Sequence, residues 1–204
     1  MRLPSTLATR AALGAVVALL LAGCTSTPAA TPAASDAPST PGAVTARLGD
    51  LGLDASDGRG LVAALDRLPV AQRPADLIAS VRPDHVLLSL ADGEQEVPVP
   101  LPDDLFYVSF APYVDGTHDC FYHSLTTCHG ELGGQEVDVR ITDTASGDVL
   151  VDETTTLFDN GFVGYWLPRG VTAELEVTQG DRAASATVGT GPEAPTCLTS
   201  LRMT

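Results

Sequence analysis

Apolar residues recur along the chain with two different periods, and the change falls near residue 83. From Val44 to about Arg82 the spacing is helical and short-range. Leu48, Leu51 and Leu53 precede Asp54 and Asp57, either of which could cap a second helix. That helix is expected over Gly60–Leu68, with Leu61, Leu65 and Leu68 on one face and Pro69 ending it. A third is expected to start at Pro74, to carry Leu77, Ile78 and Val81, and to stop at Pro83. Three short helices in some 40 residues bury little surface alone, so residues 44–83 must dock on the rest of the chain or on a second copy. From His85 onward the pattern alternates. His85–Leu90 and Glu96–Pro100 flank a turn at Ala91–Glu94, and Leu105–Tyr113 is a continuous apolar-aromatic run. Glu136–Thr142, Val149–Thr155, Phe162–Leu167, Thr172–Thr178 and Ser185–Val188 follow, separated by glycine-containing turns such as Ser146-Gly147-Asp148. Short strands at this spacing predict an antiparallel sandwich or barrel. The expected fold class is α+β, a short N-terminal helical region followed by a sandwich-like β-rich domain at 84–204.

Residues 1–23 carry a different pattern. Arg2 and Arg10 precede an apolar run from Ala11 to Ala22, which ends in Leu-Ala-Gly-Cys24. A charged start, a short apolar stretch and small residues at its end describe a secretory signal. About 12 apolar residues are too few to span a bilayer, which takes roughly 20. The Leu-Ala-Gly-Cys string resembles the lipobox of bacterial lipoproteins, in which the cysteine is lipidated and becomes the first residue. On that resemblance Cys24 is a membrane anchor, and two or three acyl chains hold the protein, since one alone binds only marginally. Residues 24–43 form the tether. Beyond Cys24 they hold only Ala, Thr, Ser, Pro, Gly and one Asp, too little bulk to pack and suited to a semi-extended spacer.

Charge removes one class of partner. The chain of 204 residues has 11 basic side chains, all arginine, against 26 acidic ones, a net −15. Loss of residues 1–23 leaves nine arginines and a net −17. Nucleic acid is excluded as a partner, because phosphate neutralisation needs a basic stripe, whereas cations are attracted.

Three of the four histidines and two of the four cysteines fall within residues 118–129, as His118, Cys120, His123, Cys128 and His129. Cys197 lies in the C-terminal tail, with Met203 six residues on. Outside the cytoplasm cysteines usually pair. With Cys24 lipidated three remain, so any single disulfide leaves one thiol over. Thiolate, thioether and imidazole donors favour Cu(I) or Zn(II) over Mg or Ca. The paired C-x₂₋₄-C spacing of structural zinc sites is absent. Eight steps of extended strand would put Cys120 and Cys128 about 26 Å apart. They share an ion only if Ser124–Thr127 forms a loop, with Cys197 arriving from the tail. Three converging thiolates would suit Cu(I).

The stretch DDLFYVSFAPYVDGTHDCFYHSLTTCHGEL, the upstream LDRLPVAQRPADLIASVRPD and the terminal TCLTSLR resemble the bacterial CueP family of extracytoplasmic copper-binding proteins. The resemblance covers most of residues 45–204. It implies a copper-resistance metallochaperone whose copper site is Cys120, Cys128 and Cys197. It also implies a dimerising N-terminal region, copper delivery to an extracytoplasmic client, and thiol-driven reduction of Cu(II) to Cu(I). The lipobox and tether depart from a protein free in a periplasm and place this chain at the membrane.

Other readings of the same residues stay open. One structural disulfide plus an inert thiol would make the chain a β-sandwich binding module. A reactive thiol beside a disulfide would make it a thiol–disulfide redox lipoprotein that holds no metal. His123, His118 and His129 are each a candidate ligand, a hydrogen-bonding neighbour of one, or a surface residue, and zinc is a candidate competitor for copper. Asp119 and Glu131 flank the segment and either attract a cation or hold loop backbone. No G-x-S-x-G, H-E-x-x-H or phosphate loop points to a hydrolase.

Overall fold

In a computed structural model, residues 41–93 and 95–204 are described. The expected signal, Cys24 and the tether up to residue 40 lie outside them. Residues 41–43, assigned above to the tether, form the start of helix α1, Pro41–Asp50. Helix α2 spans Gly58–Asp66, and of its two candidate caps Asp57 fills the position. Its carboxylate accepts the Gly60 N–H at 2.8 Å, satisfying a donor the helix cannot. Asp54 instead closes a local turn on Ser56.

The third expected helix does not form. After a single 3₁₀ turn at Val70–Gln72 the chain enters strand β1, Leu77–Val81. The apolar positions here obey period two: Leu77, Ala79 and Val81 are buried, while Ile78 stays 39% exposed. Pairing with a neighbouring strand satisfies the backbone of these five residues and leaves Leu77, Ala79 and Val81 together on the buried face. That neighbour is β2, His85–Leu90, antiparallel in the register Leu77↔Leu90 to Val81↔Val86. Strand β3, Val97–Pro100, completes this sheet on the far side of β2. Its two prolines suit an edge strand, where missing donors are tolerated.

Two further sheets make the sandwich. Strand β4, Leu105–Phe110, pairs antiparallel with β7, Val163–Pro168, and parallel with the short β10, Cys197–Leu198. The other sheet has the order β6-β5-β8-β9, from β5, Glu136–Asp143; β6, Val149–Thr156; β8, Thr172–Gln179; and β9, Arg182–Gly189. Each of these elements except β10, which falls in the tail where no strand was expected, overlaps a strand read from the sequence. The β10–β4 pair is the parallel exception to the expected antiparallel arrangement.

Two apolar cores lie on opposite faces of the β4 sheet. Phe106, Val108 and Phe110 point towards Val139, Ile141, Leu175 and Val177 of the four-stranded sheet. On the reverse face Tyr107 and Trp166 join a core built by Leu61, Val62 and Leu65 of α2, Val44 and Leu48 of α1, and the inner side of β1–β3. The helices therefore dock within the chain. Between the cores a small cluster of Ala111, Phe162, Cys128 and Cys197 packs, with Cys120 at its edge.

Candidate metal centre

The cysteine–histidine segment has no helix and no strand of its own, yet backbone bonds fix it on both sides. Val81 N–H donates to the His123 carbonyl at 2.7 Å, and Leu125 N–H donates to the Ala79 carbonyl at 2.8 Å. Residues 123–125 thus run along the edge of β1 left free by β2. The other side is held by the C-terminal tail. Thr196 and Cys197 N–H groups both reach the Phe121 carbonyl, while the Thr196 hydroxyl accepts from His123 N–H and donates to the Val81 carbonyl. Because Ser109 N–H also takes the Thr196 carbonyl, β4 sets the depth at which Cys197 enters.

A tight turn then reverses the path. Cys128 N–H bonds the Ser124 carbonyl at 3.1 Å, and Thr127 caps the turn through the Ser124 hydroxyl. The Ser124–Thr127 loop brings Cys128 Sγ to 3.5 Å from Cys120 Sγ instead of leaving it an extended strand away. Cys120 and Cys197 are joined as a disulfide, with Cα atoms 5.7 Å apart. Among the described cysteines Cys128 is the free thiol, 8% exposed, and Ser124 N–H donates to its sulfur at 3.3 Å.

Behind the sulfurs lies a buried charged network. His123 is fully buried against the Phe162 ring. Its Nε2 is 2.8 Å from Asp66 Oδ1, and its Nδ1 is 3.9 Å from Cys197 Sγ. Asp66, also buried, accepts the Tyr107 hydroxyl at 2.5 Å and the Asn160 amide at 3.3 Å. Burial opposes charge on His123, but the Asp66 carboxylate outweighs it, and with Cys128 it raises the imidazole pKa to about 9. Asp66 is correspondingly held below the usual carboxylate range despite its burial. Burial likewise resists ionisation of Cys128. The His123 ring, the Ser124 N–H and the charge of Arg73 overcome it and lower the thiol. Arg73 also donates to the Cys128 carbonyl at 2.6 Å. Gly164 makes the Tyr107 contact possible. Any Cβ there would collide with the phenol ring, so only glycine lets Tyr107 cross β7 to reach Asp66.

Two donor sets result, each within 4.8 Å: His123, Cys128 and Cys197, all buried, and His118, Cys120 and Cys128, graded from exposed to buried. His129 is exposed and belongs to neither. Met203 is a core residue of the sandwich. Glu131 holds loop backbone, accepting N–H groups of Val114, Asp115 and Gly116. Sequence reasoning missed Asp66, Tyr107, Asn160 and Arg73. Asp66 did carry a signal, since a carboxylate on the last turn of an apolar helix opposes the helix dipole and calls for a partner.

No curated protein matches the chain. The family described as Periplasmic copper-binding protein CueP matches residues 60–202. A solved structure described as the crystal structure of S.CueP superposes with a TM-score of 0.72 at 38% identity, covering 78% of this chain and 96% of that one. The chain belongs to the CueP family of periplasmic copper-binding proteins.

Proposed function

We propose that this chain is an extracytoplasmic copper-binding protein that holds Cu(I) by the thiolates of Cys120, Cys128 and Cys197, with His123 as a further donor. The observation that carries the reading is the convergence of three sulfurs and a buried imidazole from residues 77 positions apart in sequence. Asp66 fixes the ring by accepting a hydrogen bond from Nε2–H, which leaves Nδ1 directed at the sulfurs, the usual arrangement of a ligating histidine. Binding displaces the thiol protons and any proton on Nδ1. Soft sulfur donors explain a preference for copper, and zinc is the natural competitor.

The disulfide is the alternative state of the same site. Two thiolates that pass one electron each to two Cu(II) ions yield two Cu(I) ions and one disulfide. Full trithiolate binding and the Cys120–Cys197 bond therefore exclude each other. In this reading Cys24 anchors the protein to the membrane, the tether presents the site, and a client protein receives the copper. Association as a homodimer belongs to the same proposal.

An anaerobic Cu(I) titration of the reduced protein against a competing chelator tests it. One tightly bound copper is expected, with loss in Cys120→Ser, Cys128→Ser and Cys197→Ser alike. Retained affinity in all three variants overturns the site. Weak copper binding combined with activity on disulfide substrates would favour the metal-free redox reading instead. An unchanged thiol count after Cu(II) addition would remove the reductase activity alone.

A further inference from the structure

The third sulfur does more than complete a ligand set. Cys128 Sγ, the free one, stands 3.5 Å from Cys120 Sγ, and Cys120 is already bonded to Cys197. Disulfides change partners when a thiolate attacks one sulfur of the pair and the other leaves. Here the attacking group is held at contact distance by the Ser124–Cys128 turn, and a bond needs an approach on the order of 1.5 Å. We propose that Cys128 attacks Cys120, so that the oxidised protein exchanges between two disulfide isomers, Cys120–Cys197 with Cys128 free and Cys120–Cys128 with Cys197 free.

The step balances without an outside reagent. The Cys128–Cys120 bond forms as the Cys120–Cys197 bond breaks, and the electron pair leaves on Cys197 sulfur. The proton given up by Cys128 is regained by Cys197. One thiol and one disulfide stand on each side, so nothing is oxidised or reduced overall. Surroundings favour both ends of the path. The attacking sulfur accepts the Ser124 N–H, and the released sulfur emerges 3.9 Å from His123 Nδ1. Cys120 stays bonded throughout and serves as the pivot. The exchange moves the free thiol from Cys128, which borders both donor sets, to Cys197, which belongs to the buried set with His123 alone. This goes beyond the copper reading, and it rests on sulfur geometry alone.

The test contains no metal, so its failure leaves the copper site standing and failure of copper binding leaves the exchange standing. The oxidised full-length chain is incubated at neutral pH, quenched in acid, alkylated in acidic denaturant with a maleimide, and digested with pepsin under conditions that halt exchange. Cleavage after Phe121 or Leu125 separates Cys120 from Cys128. Peptides cross-linking Cys120 to Cys128, together with alkylated Cys197, are expected beside those of the starting isomer. Among Cys120, Cys128 and Cys197, alkylation confined to Cys128, with Cys120–Cys197 the only cross-link, would overturn the proposal. A folded Cys197→Ser variant is expected to close Cys120–Cys128 under mild oxidation, and two persistent free thiols in it would overturn the proposal as well.

Discussion

The two faces of β4 are built on opposite principles. One carries Phe106, Val108 and Phe110 into a core with no ionised group, where each side chain contributes through the area it removes from water. The other carries Tyr107 and Ser109 towards a buried carboxylate, a buried imidazole and the sulfur cluster. On that face the contributions are not separable. A buried charge is tolerated only while its partners are complete, so the stability of Asp66 depends on His123, Tyr107 and Asn160 together. The strand thus backs a chemically demanding site with a robust apolar layer.

The sharpest break between the faces comes from truncating the apolar one. Phe110→Ala is expected to cost about 3–5 kcal/mol, because the transfer term and the cavity term add. Urea denaturation measures the loss. The Cu(I) affinity of the folded fraction should stay at the wild-type value, and a parallel fall in affinity would show that the two faces are coupled.

On the polar face the comparable effect is electrostatic and depends on pH. His123 has its folded pKa raised to about 9 from an ordinary 6.5. A raised value contributes stability that is fully present below pH about 6.5 and is lost as pH rises through about 9. The shift corresponds to about 3 kcal/mol. Cys128 faces the ring, which helps to lower its thiol, and Arg73 faces Cys128, so the Cys128→Ser background isolates the contribution from Asp66. There, stability should decline from neutral to alkaline pH by somewhat less than that figure. Adding Asp66→Asn leaves burial unopposed, drops the His123 pKa below its ordinary value and abolishes the decline. With the cysteines intact, Asp66→Asn should also weaken Cu(I) binding by about 10–100-fold, the usual cost of removing the group that orients a ligand.

The same contrast explains what could be read from sequence. The sandwich strands were legible because Val137, Val139 and Ile141 alternate with Asp138 and Arg140, and a half-buried strand has no other solution. Burial of both its faces made β4 visible as a continuous run. The strand at Leu77–Val81 was not legible, because Leu77, Ile78 and Val81 fit a helical face equally well and only pairing with β2 decides between them. At the site, residue types and an uneven cysteine count marked residues 118–129 and Cys197 as candidate chemistry with His118, His123 and His129 all open, and the resemblance to the CueP family supplied Cys120, Cys128 and Cys197 as the copper site. Which two sulfurs pair, and which histidine is buried, depends on the tail and β1 meeting the loop from opposite sides. No local pattern encodes that. Asp66 and Asn160 lie 57 and 37 positions from His123 and enter only through the tertiary fold.

Gly164→Ala probes the seam between the faces. The added Cβ meets the Tyr107 ring, which must shift and release its hydrogen bond to Asp66. Overpacking of this kind costs about 1–3 kcal/mol. The loss should shrink in Tyr107→Phe, where no hydroxyl remains to be displaced, and a loss of equal size there would mean that steric strain alone is responsible.

The smallest effect is expected on the outer surface of the sandwich, where Arg140 on β5 pairs with Asp152 on β6 and both side chains are exposed. Water screens such a pair, and fixing two flexible side chains offsets most of the attraction, so Arg140→Ala should change stability by no more than about 0.5 kcal/mol. The comparison with Asp66–His123 is the informative part. Both are ion pairs between one basic and one acidic side chain, but the inner one is buried and its carboxylate is also held by Tyr107 and Asn160. If Arg140→Ala proved as costly as Asp66→Asn, with a similar pH dependence, then burial would not be what gives the inner pair its weight. The inner face of β4 would then need no special protection of its charges, and the case for Asp66 as the residue that holds His123 towards the sulfurs would fall with it.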